Sequence, residues 1–127
     1  MRKNISSGSP WEDIVGYSRA VRVGNIIEVA GTTAMDGDTL IGKGDVYAQT
    51  NYIFSKIEKA LEEAGAAMKD VVRTRMFVTD ISHWELVGKA HGEFFKTIKP
   101  VATMVEVKAL IDKELLIEIE VTAVIAP

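Results

Sequence analysis

From Leu115 to Ala123 every second residue is apolar: Leu115, Ile117, Ile119, Val121 and Ala123. This alternation predicts a strand with one face buried. The carboxylates of Glu118 and Glu120 sit between these residues, and at a spacing of two they point the same way. The stretch Pro100 to Val107 predicts another strand leading towards it. Near the other end, residues 15 to 23 alternate with Val15, Tyr17, Val21 and Val23 on one face. Gly24-Asn25 then predicts a tight turn into a second arm, Ile26 to Ala30, which ends at Gly31-Thr32-Thr33. Met35-Asp36-Gly37-Asp38 reads as a further turn, followed by a short third strand at Leu40-Ile41.

Between Asp45 and Ala64 the period lengthens. Val46, Ile53, Ile57, Leu61 and Ala64, with Phe54 and Ala60 beside them, fall at helical spacing, and Glu58-Lys59 and Glu62-Glu63 take the outer side. Gly65 is placed to end this helix. Val71 to Val78 is rich in β-formers and predicts a fourth strand. Ser82-His83-Trp84-Glu85 fits a capping box that starts a second helix through Leu86, Val87, Ala90, Phe94 and Phe95.

The predicted order is β-β-(β)-α-β-α-β-β, an α+β arrangement in which two helices cover one face of a single sheet. The residues expected on the uncovered face are Arg73, Arg75, Phe77, Met104, Glu106, Glu118, Glu120 and Val124. That set is too apolar for a fully wetted surface and too charged for an ordinary core. It predicts an interface between symmetric copies, the alternative being a wet antiparallel face with surface ion pairs.

Composition narrows the class. A chain of 127 residues with 47% apolar residues predicts one globular domain spanning 1–127. No apolar run approaches the ~18 residues of a membrane span, and no hydrophobic stretch follows Met1 to Gly8, so neither a membrane partner nor a signal peptide is expected. The absence of cysteine excludes disulfides and thiolate chemistry and fits the cytoplasm. A net charge of −3 argues against a nucleic-acid partner. The two histidines and scattered acids show no metal-ligand spacing, and Gly42-Lys43-Gly44 lacks a phosphate-cradling pattern, so no metal or cofactor is expected.

Gly16-Tyr17-Ser18, Val23-Gly24-Asn25, Ala30-Gly31, Glu62 to Gly65, Phe77 to Asp80, Glu93-Phe94-Phe95, and Pro100 to Val107 with Glu118-Ile119-Glu120 together resemble the Rid (reactive intermediate deaminase, endoribonuclease L-PSP-like) family. The resemblance implies a chorismate-mutase-like fold assembled as a homotrimer, with a central barrel and small-molecule clefts between subunits. It implies cofactor-free hydrolysis of 2-imino acids or their enamine tautomers to 2-oxo acids and ammonia. Carried onto this sequence, the cleft tyrosine falls on Tyr17 and the glutamate that positions the attacking water on Glu118. Gly31 and Thr32 fall on a loop whose backbone shapes the cleft, and Thr103 and Met104 fall beside the position of the carboxylate-clamping arginine. That position is Ala102, whose methyl cannot hold a carboxylate. Gly88 and Met104 also depart from the deaminating members, which often carry asparagine and cysteine there. The chain therefore resembles a branch without the clamp, in which ordinary 2-imino acid deamination is not expected.

Read from the residues, Glu118 is a candidate general base on water or a partner of Arg73 or Arg75. Tyr17 is a cleft hydroxyl or a tyrosine packed at a subunit boundary. Arg19, Arg73 and Arg75 are candidates to replace the clamp, although pairing with Glu106, Glu118 or Glu120 is the expected role of Arg75. His91 is expected to be a satisfied interface histidine rather than a general base. Two functions stay open: a hydrolase acting on an imine, enamine or related C–N bond, and a non-catalytic trimer that binds small molecules or protects other proteins. A ribonuclease is less favoured, because the chain is acidic and shows no base–acid histidine pair.

Overall fold

A computed structural model describes all 127 residues. Its strands are β1 (Arg2–Ile5), β2 (Ala20–Val23), β3 (Ile26–Thr32), β4 (Met35–Asp36), β5 (Thr39–Leu40), β6 (Val71–Val78), β7 (Val101–Glu106) and β8 (Ile117–Val124). Its helices are α1 (Pro10–Val15), α2 (Val46–Glu63) and α3 (Trp84–Phe95). Six strands form one sheet in the order β1-β2-β3-β8-β6-β7, with only β6 and β7 parallel. The fold is the expected α+β arrangement, with α2 and α3 packed together over the sheet.

The long periodic segments form as predicted. Asp45 caps α2 by accepting from the Ala48 amide at 3.0 Å. Val46, Ile53, Phe54, Ile57, Ala60 and Leu61 bury the inner face of that helix. Ala64 closes it and Gly65 follows at φ 87°, a left-handed conformation that glycine adopts without steric cost. Along β8, Ile117, Ile119, Val121 and Ala123 are buried while their alternates are partly exposed.

Several expectations of local structure are corrected. The first half of the 15–23 strand is instead the end of helix α1 and a loop. Ser9 accepts from the Trp11 amide, Pro10 supplies a preset φ at the first helical position, and Gly16 ends the helix at φ 89°. Residues 20 to 23 alone form the strand, and Val15 is exposed. The N-terminal segment, for which no element was expected, pairs with β2 through Ile5 and Ala20. The short third strand pairs only with β4 in a separate ribbon and does not join the sheet. At the second helix, Asp80 rather than Ser82 does the capping, at a short 3-10 turn (Ile81–His83) before α3. Leu86, expected on the buried stripe of that helix, faces solvent.

The face away from α2 and α3 carries Arg73, Arg75 and Phe77 on β6 and Glu118, Glu120, Thr122 and Val124 on β8. Val101, Thr103 and Val105 share it on β7, because their register partners are Arg73, Arg75 and Phe77. Met104 and Glu106 do not. They pair with Met76 and Val78, and Met104 packs against the core beneath the helices. The parallel pairing of β7 sets this parity, which the alternation of β7 alone leaves undetermined.

Candidate functional site

Strand β3 does not pair evenly with β8. Val29 lies opposite Val121, but Thr32 lies opposite Ile119, so one extra residue is accommodated between them. A bulge of this kind re-aims side chains locally. It brings the backbone of Gly31 against the Glu118 side chain, where a Cβ on residue 31 would overlap Oε2 and crowd Cδ. Gly31 and Thr32 thus belong to a bulged strand rather than to the expected loop. Thr32 is buried and its hydroxyl donates to the Ala30 carbonyl at 2.8 Å, so it offers nothing to a ligand through its side chain.

Glu118 is half-buried, and no hydrogen bond contributes to its titration. Burial pushes its carboxyl above the ordinary carboxylate value, the positive charge of Arg19 pulls it back, and Glu120 adds to the rise. Arg19 precedes β2, held by its amide on the Ile5 carbonyl at 2.8 Å and by the Ala30 amide on its own carbonyl at 3.0 Å. Its Nη2 donates to the Gly31 carbonyl at 2.7 Å, while its buried Nε has no partner. Burial lowers the guanidinium's pKa, and the nearby Tyr17, Glu12 and Glu118 oppose that shift. An arginine keeps its charge through such changes.

Two flanking residues were not singled out in the sequence. Glu12 on α1 is buried and accepts from the amide and hydroxyl of Ser7. Burial works against its charged form, but the hydrogen bonds from Ser7 and Ser6 and the charge of Arg19 hold the pKa below the ordinary value. Lys56 on α2 donates to the Thr33 and Met35 carbonyls at 2.9 and 2.7 Å and so fixes the chain just beyond Gly31 and Thr32. Burial and then Arg19 lower its pKa, against the pull of Asp36. No periodic signal marks either residue. Glu12 is recognisable only once the Ser9-Pro10 helix start is seen.

Tyr17 follows Gly16, and its amide donates to the Glu12 carbonyl at 3.0 Å. Its ring is exposed and lines an open depression on the uncovered face with Asn4, Glu28, Arg75 and Glu120. Glu118 and Arg19 do not line that depression; Tyr17 links it to them through its proximity to Arg19. Arg75 does not reach Glu118. It pairs with Glu120 at 3.7 Å, while Arg73 donates to Thr103 at 3.4 Å. Arg19 is the candidate cation that the structure brings to Glu118.

The other candidates lie elsewhere within one chain. β6 separates β7 from β8. Ala102 and Met104, opposite Thr74 and Met76, face the helix side of the sheet, away from Glu118, and only Thr103 shares the face of Glu118. His91 meets Thr74 Oγ1 at 2.9 Å through Nε2 and packs on Phe54 and Phe95, and burial lowers its pKa. It is satisfied as expected, but within the chain's own core rather than at an interface.

Residues 9–125 match the family model for endoribonuclease L-PSP. An uncharacterised protein of Streptomyces coelicolor, SCO2049, is 41% identical over 121 residues, 95% of this chain and 90% of that protein. A RutC family protein of Pyrococcus abyssi, PYRAB12510, is 40% identical over 108 residues, 84% of each chain. Among solved structures, Rv2704 of Mycobacterium tuberculosis, described as a member of the YjgF/YER057c/UK114 family, superposes with a TM-score of 0.90 at 52% identity, over 98% of this chain and 100% of that one. YyfA of Yersinia pestis, described as a Rid family protein of unknown function, gives a TM-score of 0.84 at 28% identity, over 98% and 100% of the two chains.

Proposed function

We propose, for a chain that belongs to the endoribonuclease L-PSP (YjgF/Rid) family, that it hydrolyses an imine, enamine or related C–N bond with a water positioned by Glu118. The observation that carries this reading is the state of the Glu118 carboxylate. It is half-buried, free of hydrogen bonds, raised in pKa and seated where only a glycine at position 31 leaves room. A carboxylate disfavoured in its charged form and free to accept a proton suits general-base activation of water.

The reaction needs no metal or cofactor: Glu118 takes a proton from water, the oxygen adds to the electrophilic carbon, and the nitrogen leaves after protonation. Tyr17 lines the approach. The cleft is completed by other copies of the chain in a homotrimer, because Ala102 and Met104 lie on the far side of their own sheet from Glu118. The uncovered face supplies the contact, with Val21, Val23, Ile26, Val101 and Val105 exposed or partly exposed among its charged residues. A monomer in analytical ultracentrifugation removes this assembly.

Ala102 brings no charge for a substrate carboxylate, so ordinary 2-imino acids are poor substrates. Generating 2-iminobutyrate in situ and following its decay tests this point, with no acceleration over solvent hydrolysis expected. Ammonia release from imines and enamines lacking that carboxylate tests the reaction itself. A Glu118→Ala variant as active as wild type on any such substrate removes the assigned role. The second reading, a ligand-binding trimer without chemistry, is favoured by the exposed depression beside Tyr17. A thermal-shift screen in which ligands stabilise the fold while none is turned over supports it.

A further inference from the structure

Arg19 and Glu118 converge on Gly31, whose carbonyl accepts from Arg19 Nη2 at 2.7 Å and whose α-carbon faces the Glu118 carboxylate, yet they are not joined. The ion pairs within 4.0 Å in this chain are Lys43–Glu114, Arg75–Glu120 and His83–Asp80. Each member keeps unused hydrogen-bonding capacity. The only side-chain hydrogen bond of Arg19 runs from Nη2 to the Gly31 carbonyl, and its buried Nε–H has no acceptor. The carboxylate of Glu118 takes no hydrogen bond from the protein. A guanidinium is donor-only and a carboxylate acceptor-only, so buried groups left in this condition are costly unless a partner completes them. The neighbouring charges do not supply one. Glu12 is engaged by Ser7, Lys56 by the Thr33 and Met35 carbonyls, and Glu120 by Arg75.

We infer that Arg19 and Glu118 form a paired receptor for a small uncharged group carrying both a carbonyl oxygen and an adjacent N–H, as in an amide, carbamate or ureide. Arg19 donates to the carbonyl oxygen and Glu118 accepts the N–H. One planar group then meets Nη1 of Arg19 and the Glu118 carboxylate together, with its C–N bond beside the carboxylate that activates water. A simple carboxylate satisfies Arg19 but meets Glu118 with like charge, and a simple ammonium does the reverse. The pair therefore selects against both. This inference rests on Glu118 being the working carboxylate and narrows the proposed C–N substrates to those with a neighbouring carbonyl.

Nitrogen-15 NMR titrations of the wild-type protein at neutral pH test it, with acetamide and methyl carbamate as donor–acceptor probes. Acetate, methylammonium and N,N-dimethylacetamide are the mismatched ones. Acetamide and methyl carbamate are expected to shift the amide signals of Arg19, Gly31 and residues 117–119 and to bind at least about tenfold more tightly than the mismatched probes. A hydrogen bond to a charged group is worth roughly that factor or more. Arg19→Lys and Glu118→Gln, checked for retained spectral dispersion, are each expected to weaken acetamide by about tenfold. Acetate or N,N-dimethylacetamide binding as tightly as acetamide overturns the inference. So do shifts unaffected by both variants, and so does the absence of shifts with every probe. If the amide probes bind as expected but no C–N compound is hydrolysed, recognition stands and the hydrolytic reading fails. If Glu118-dependent hydrolysis is measured while acetate competes as well as acetamide, hydrolysis stands and this recognition fails.

Discussion

The α-carbon of Gly31 lies so close to Glu118 that any side chain at position 31 would occupy the space of the Glu118 carboxylate. The contact arises from the bulge between β3 and β8 and sets where the acid points. Gly31 also accepts from Arg19, so one residue places both members of the charged pair.

A Gly31→Ala substitution is therefore expected to move the Glu118 side chain while leaving the fold intact, because residue 31 has no left-handed backbone that would make alanine strained. The expected result is a loss of at least about tenfold in any Glu118-dependent activity, since misplacing a reacting group by about 1 Å costs up to a hundredfold. Circular dichroism and activity on the same sample check it. Unchanged activity would show that the carboxylate tolerates displacement.

The raised pKa of Glu118 has a sign that thermal unfolding can read. Relative to an unfolded value of 4.5, the folded state holds this proton to higher pH. Stability therefore falls as pH rises from about 4.5 through the folded pKa, and the penalty is fully present above it. Glu118→Gln removes the penalty. The variant is expected to have a higher Tm than wild type at pH 7, and the difference should vanish below pH 4. A Tm difference that does not change with pH would mean that the charge of Glu118 is not what destabilises the fold.

His91 works in the opposite direction. Its pKa is lowered from 6.5 by burial, so below 6.5 the unfolded chain binds a proton that the folded chain resists. Stability from this residue is complete above about 6.5 and is lost as pH falls towards the folded pKa. His91→Gln is expected to flatten the decline in Tm between pH 7 and 5 relative to wild type. Parallel pH profiles for the two proteins would contradict this.

Phe54 is fully buried among the rings of His91, Phe94 and Phe95, where α2 meets α3. Truncation leaves a cavity under both helices, and Phe54→Ala is expected to cost about 3–5 kcal/mol in urea unfolding. A cost below about 1 kcal/mol would mean that the helix pair collapses to fill the space.

How far the sequence carried the reading depended on the length of each periodic signal. The 18 residues of α2 and the alternation of β8 reveal their buried faces because many positions agree. Helix α1, with only six residues, is announced by Ser9, Pro10 and Gly16, and the chance alternation of Val15 and Tyr17 with the true strand outweighs those caps. Strand β1 is an edge strand with only Ile5 buried, so its pattern is nearly silent. At the site, Tyr17, Arg19, Gly31 and Glu118 are all legible as candidates. The convergence of Arg19 and Glu118 on Gly31, and the separation of Ala102 and Met104 from both, are not. They follow from a bulge in β3 and from the parallel register of β7, and each depends on a strand distant in sequence.

The measurement that bears most directly on the proposed chemistry is ammonia release from a panel of imines, enamines and carbonyl-bearing C–N compounds, run with wild type and Glu118→Gln side by side. The account predicts at least one compound hydrolysed faster than in buffer alone, with the rate falling by about a hundredfold or more in Glu118→Gln, the loss expected when a general base is removed. Equal rates for the two proteins on every compound that wild type accelerates, or no acceleration of any compound, would contradict it.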